Sequence, residues 1–139
     1  MKATFADTSF LIALLRVKDV HHQRALAWQK VVTGRLLTTE YILLEFADAM
    51  SVERLRRRAV ETIGELRGDA SVQVVSATTA LIDEGLAFFG NHSDKRWSLT
   101  DCISFVVMRR ESVSEALTSD HHFEQAGFRA LLRAEPSEA

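Results

Sequence analysis

Residues 115–132, Glu-Ala-Leu-Thr-Ser-Asp-His-His-Phe-Glu-Gln-Ala-Gly-Phe-Arg-Ala-Leu-Leu, pack a strand, a short helix and a second strand into one continuous stretch. Residues 115–119 read as the first strand, and Asp120 is a favoured residue type for capping a helix start. Residues 121–126 read as the helix, which Gly127 ends because glycine accepts the left-handed backbone found just past a helix. Residues 128–132 read as the following strand. A strand, crossover helix and strand in this order specify parallel pairing.

The rest of the chain repeats the alternation. Strands are expected at residues 3–6, 36–39 and 71–75. Helices are expected at 9–16, from Asp19 to a stop at Gly34, at 40–50, from Val52 to Gly68, and at 79–89 with Gly90-Asn91 closing the last. Leu43, Phe46, Ala47 and Met50 fall at the i, i+3, i+4, i+7 spacing of one buried helix face. Ser98 opens a further helix with Leu99, Ile103, Val106 and Arg110 along one side. The expected architecture is one three-layer α/β/α domain, with a mainly parallel sheet covered on both faces. Its expected extent is residues 1–133, followed by a polar tail at 134–139 that holds the only proline, Pro136.

Composition bounds the function less than the fold. The chain has 139 residues, enough for one core without staples; it is 47% hydrophobic and 26% charged. Seventeen basic against nineteen acidic residues give a net charge of −2, so no global charge advertises nucleic-acid binding. Cys102 is the single cysteine, excluding an internal disulfide and suiting a reducing compartment. The apolar run 10–15 is too short for a membrane span or a signal core. The cytoplasm is the expected location.

Four carboxylates stand out by position: Asp7, Glu45, Asp101 and Asp120. Asp7 follows the first strand and Asp120 the fourth, and parallel sheets bind ligands beyond the carboxyl ends of their strands. Asp101 lies in the first turn of its helix, and Glu45 must reach inward from a neighbouring helix. Two unit charges ~4 Å apart at an effective dielectric of ~20 repel by about 4 kcal/mol, so converging acids must hold protons or recruit a cation. An all-oxygen set favours Mg²⁺ or Mn²⁺ over zinc. Taken singly, each acid also has an architectural reading. Asp7 and Asp120 fit helix caps, Ser98-Leu99-Thr100-Asp101 fits a capping box, and Glu45 fits a solvated helix face.

Four motifs then resemble the PIN-domain family, and within it the VapC toxins of bacterial toxin–antitoxin pairs. They are Phe5-Ala6-Asp7-Thr8-Ser9; residues 38–45, from Thr38 to Glu45; Trp97-Ser98-Leu99-Thr100-Asp101-Cys102-Ile103-Ser104; and residues 116–123 with Gly127-Phe128 after them. The resemblance spans essentially the whole chain. It implies a five-stranded parallel sheet of order 3-2-1-4-5 and a metal-dependent endoribonuclease that leaves a 5′-phosphate and a 3′-hydroxyl. It carries Asp7 and Asp101 over as principal metal ligands, Glu45 and Asp120 as the rest of the acidic quartet, and Ser9 and Thr118 as their hydrogen-bonding supports. It also implies an RNA substrate, a cognate antitoxin protein and a homodimer.

Lys95 and Arg96 adjoin the third motif and are candidates for gripping RNA phosphates, with Trp97 beside them for stacking on a base. Arg54, Arg56, Arg57 and Arg58 could steer RNA or an acidic partner, although a solvated helix face explains them. Asp48, Asp94, His21, His22, His121 and His122 read as structural or surface residues. Two other functions compete: a phosphotransferase using Asp7 as acceptor, and a non-catalytic binding module. The first is disfavoured by Ser9, which stands where haloacid dehalogenases carry a second aspartate. The second is disfavoured by the intact quartet. A PIN nuclease of RNA processing, outside any toxin system, is the nearest alternative.

Overall fold

The computed structural model describes residues 2–136. Residues 137–139, the end of the expected tail, lie outside them. Five strands, β1 (Ala3–Ala6), β2 (Arg35–Thr39), β3 (Val72–Val75), β4 (Glu115–Leu117) and β5 (Arg129–Ala130), form one sheet in the order β3-β2-β1-β4-β5. Every neighbouring pair is parallel. Strand order therefore reverses between β1 and β4, whose register pairs Phe5 with Ala116 and Ala6 with Leu117.

Among the described residues, seven α-helices cover the sheet: α1 (Thr8–Leu15), α2 (His22–Val31), α3 (Glu40–Ala49), α4 (Glu53–Gly68), α5 (Thr79–Asn91), α6 (Leu99–Arg110) and α7 (His121–Gln125). Parallel pairing forces each connection across a face, and the central strands β1 and β4 are accordingly the most buried. Phe5, Leu37 and Leu117 from three strands meet Phe46, Phe105 and Phe123 from three helices, all at most 1% exposed. Each fully buried phenylalanine contributes on the order of 2–3 kcal/mol.

Helix α6 is buried on most of its circumference, through Cys102, Ile103, Ser104, Phe105, Val107 and Met108. Along the side that runs through Leu99, Ile103, Val106 and Arg110, burial is graded: Ile103 is buried, Leu99 and Val106 are half-buried and Arg110 is exposed. Ile103 sits where α5 offers Gly85, and a Cβ on that glycine would fall 2.4 Å from Ile103 Cγ1. The missing side chain lets the two helices approach closely.

Element ends follow their local chemistry. Gly127 has φ of 94°, its N–H bonds to the Glu124 carbonyl, and the Phe128 N–H bonds to the Phe123 carbonyl. This is the paired closure expected of a glycine past a helix end. Gly34 acts differently from the expectation. Helix α2 ends at Val31, and Gly34, with φ of 87°, turns the chain into β2 instead. The last strand is shorter than residues 128–132: after Ala130 the chain tightens into a 3₁₀ turn, Leu131–Arg133, and the Leu132 N–H bonds to the Thr118 carbonyl. Beyond it, the Ala134 carbonyl accepts from the Trp28 indole and Glu135 pairs with Arg24, so the start of the expected tail is held on α2.

Candidate active site

Four elements deliver the four acids to one end of the sheet. Asp7 leaves β1 and Asp120 follows β4, on the two strands flanking the reversal of order. Asp101 stands in the first turn of α6, and Glu45 projects from α3. All four line a single open cleft of about 380 Å³, together with Thr8, Ser9, Arg96, Ser98 and His122. A separate apolar groove between α1, α2 and α4 lies away from these carboxylates and gathers Phe10, Leu14, Leu66 and Val72.

Asp7 occupies the N-cap position of α1, yet its side chain makes no capping bond. Its Oδ2 instead accepts from Thr118 Oγ1 at 2.6 Å and from Ser9 Oγ at 3.0 Å. The same two hydroxyls accept from the N–H groups of Asp120 (3.1 Å, to Thr118) and Ser119 (3.1 Å, to Ser9). A web of short hydrogen bonds thus ties the end of β4 to the end of β1. Asp7 is 6% exposed. Burial pushes its pKa up to about 6; the two hydroxyls oppose that rise, and the neighbouring charge of Asp101 adds to it.

Asp101 does two jobs at once. It closes the expected capping box: Ser98 Oγ accepts from its N–H at 3.0 Å, and its Oδ2 accepts from the Ser98 N–H at 3.2 Å. Its carboxyl nonetheless lines the cleft, and burial, joined by the Asp120 charge, raises its pKa above the ordinary range. Asp120 caps α7 by accepting from the His122 N–H at 2.9 Å. Glu45 accepts a hydrogen bond from the Thr8 hydroxyl, which links α3 to the turn after β1. The architectural roles of Asp101 and Asp120 are therefore real and coexist with their place in the cleft.

The sequence points to a helix-start or surface role for His122; the structure keeps it at the start of α7 but turns its ring inward. Its Nδ1 lies 3.2 Å from Asp101 Oδ2 and 3.4 Å from Asp120 Oδ1, between two acids of the cleft. The signal available was its place two residues after a capping aspartate, which turns the first turn of α7 toward α6. Lys95 and Arg96 part company: Arg96 lines the cleft, whereas Lys95 turns to Asp94 at 3.5 Å. Trp97 is also corrected. It is 6% exposed, stacks with Phe88 and donates its indole N–H to Gln125, so no base can reach its face. Asp48 faces a separate hollow with Met50 and Arg56.

The donor set suits a hard divalent cation. Carboxylate oxygens dominate it, two of the carboxyls are driven toward protonation by burial and mutual repulsion, and a positive charge in the cleft relieves both costs. Residues 4–129 match the family model described as PIN domain. The chain belongs to the PIN-domain family. PIN domains are metal-dependent nucleases, and the acidic cleft of this chain has the chemistry that such an activity requires. A curated relative, the 23S rRNA-specific endonuclease VapC20 of Mycobacterium tuberculosis, is 28% identical over 124 residues, covering 89% of this chain and 94% of the relative. The crystal structure of VapC20, described as a Sarcin-Ricin loop cleaving toxin, superposes with a TM-score of 0.81 at 28% identity, over 90% of this chain and 95% of that one. FitAcB from Neisseria gonorrhoeae shares the fold, with a TM-score of 0.63 at 14% identity over 91% of this chain and 94% of its own. Among the described residues, no helix of this PIN domain is long and apolar enough to cross a membrane.

Proposed function

We propose that this PIN domain is a Mg²⁺-dependent endoribonuclease, with Mn²⁺ able to substitute, and the toxin of a VapBC-like pair. The observation that carries the reading is the meeting of Asp7, Glu45, Asp101 and Asp120 in one cleft at the reversal of strand order. Asp7 and Asp101 are the principal ligands, and Glu45 and Asp120 complete the shell. When bound, the ion supplies charge neutralisation and a more acidic water for attack on a phosphodiester.

The chain's own residues do the rest. Thr118 and Ser9 fix the Asp7 carboxylate through Oδ2 and leave Oδ1 for the ion. The capping box fixes Asp101 in the same way. Arg96, at the rim of the cleft, grips a phosphate of the bound RNA as a bidentate donor. Lys95 adds only general positive charge, because it is already paired with Asp94. The likeness to VapC20 makes ribosomal RNA the first substrate to try. A cognate antitoxin that covers the acidic cleft, a homodimeric assembly and a cytoplasmic location belong to the same reading.

The deciding experiment incubates purified protein with RNA in Mg²⁺, Mn²⁺ or EDTA, alongside Asp7→Asn and Asp101→Asn variants. Cleavage confined to the metal-containing wild type is the expected result. Cleavage that survives both substitutions would remove these residues from the site. Tight RNA binding without turnover in either metal would favour a binding module instead. Growth arrest on expression, relieved by a small protein encoded alongside, tests the toxin role.

A further inference from the structure

The start of α7 carries a second donor set of different chemistry. Asp120 Oδ1 lies 3.4 Å from His122 Nδ1 and 3.8 Å from His121 Nδ1. One ligand atom from each of the three residues lies within 4.8 Å of the other two, an arrangement that no other His, Cys, Asp or Glu group reaches among the described residues. Four donors at zinc-ligand distances of about 2.0–2.1 Å around a tetrahedral ion stand roughly 3.3–3.4 Å apart. The 3.4 Å contact of Asp120 with His122 already matches an edge of such a polyhedron, and the 3.8 Å contact with His121 needs only a small side-chain adjustment to do so. Two imidazoles and one carboxylate suit zinc far better than magnesium, and three protein ligands leave a fourth position open.

We propose that Asp120, His121 and His122 form a zinc-binding site whose occupation switches RNA cleavage off. His121 is the entry point: its side chain is 58% exposed, and it is absent from the lining of the acidic cleft. His122 and Asp120, 20% and 32% exposed, face both ways. Zinc held by all three draws Asp120 out of the carboxylate shell and pulls the His122 ring from its 3.2 Å contact with Asp101. The cleft then loses Asp120 from its quartet and the imidazole that stands against Asp101. Binding of zinc depends on nothing but these three side chains; its inhibitory effect rests on the nuclease reading given above.

The test uses the metal-free 139-residue chain and Zn²⁺ itself as the probe, with isothermal titration in the absence of RNA. Wild type binds one zinc at this site, and His121→Ala weakens that binding at least about tenfold while leaving Mg²⁺ binding unchanged. Equal zinc affinity in both proteins overturns the site. His121 is exposed, so a circular dichroism spectrum identical to wild type is expected for the variant. In a cleavage assay with Mg²⁺ in excess, zinc stops the wild type, and His121→Ala keeps its basal rate and resists zinc. Zinc that binds wild type tightly without slowing cleavage overturns the inhibition. If neither protein cleaves RNA, the nuclease reading falls, and the titration still decides the zinc site.

Discussion

Thr118 Oγ1 donates to Asp7 Oδ2 across 2.6 Å, and so joins the ends of the two strands between which the sheet reverses its order. The same hydroxyl accepts from the Asp120 N–H. One small side chain thus orients a buried carboxylate and anchors the start of the helix that carries another acid. Thr118→Val keeps the shape and removes the hydroxyl. Titration of Mn²⁺ into this variant is expected to show affinity reduced by about 10- to 100-fold, as for other lost supports of metal ligands. Unchanged affinity would mean that Ser9 alone holds Asp7.

Burial raises the Asp7 carboxyl from 3.8 to about 6, and this has a consequence for stability without metal. A carboxyl whose pKa is higher in the folded state favours folding in its protonated form. The stability it contributes is present below about pH 4 and is lost as pH rises through about 6. A rise of about two pH units corresponds to on the order of 3 kcal/mol as an upper figure. Asp7→Asn, measured in EDTA at pH 7–8 by urea unfolding, is expected to be more stable than wild type by about 1–3 kcal/mol while losing the proposed cleavage. The difference should shrink toward pH 4. A variant less stable than wild type at neutral pH would refute the electrostatic cost assigned to this carboxylate.

Arg96 and Lys95 are neighbours with different surroundings, which gives a paired test. Arg96→Ala is expected to lower RNA affinity and to flatten its dependence on salt by close to one counterion, measured with a variant that binds without cutting. Lys95→Ala, already paired with Asp94, is expected to change either quantity much less. Equal effects would place both side chains on the RNA.

Ser112, between α6 and β4, has φ of 56°, in the left-handed region. The Val113 N–H bonds to the Met108 carbonyl and the Ser112 N–H to that of Arg109, so Ser112 holds the position past a helix end that usually goes to glycine. Ser112→Gly is expected to raise stability by up to about 1 kcal/mol, since relief of strain outweighs the added freedom of the unfolded chain. A lower melting temperature would show that the serine side chain contributes more than its backbone costs.

Much of this architecture was readable in the sequence, and the exceptions share a cause. The strand order followed from the family resemblance, and Gly127, the Ser98–Asp101 capping box and the Leu43–Phe46–Met50 face followed from local rules. The last three depend on residues within about two helical turns of each other. Misreadings occurred where distant packing decided the outcome. Trp97 reads as a cleft aromatic, but Phe88 and Phe105, from two helices, enclose it. His122 reads as a helix-start or surface residue, but α7 packs beside α6 and brings its ring onto Asp101. Gly34 reads as a helix stop, but the turn into β2 uses its backbone freedom. Glu45 gave no local sign of its partner, because Thr8 reaches it from another layer.

The central claim is that acids remote in the chain converge to hold one kind of hard divalent ion. Anomalous scattering from crystals grown with Mn²⁺ measures this directly. The account predicts a manganese peak in the acidic cleft, with oxygens of Asp7 and Asp101 at about 2.1 Å. Manganese bound elsewhere on the molecule, with none beside those two carboxylates, would contradict it.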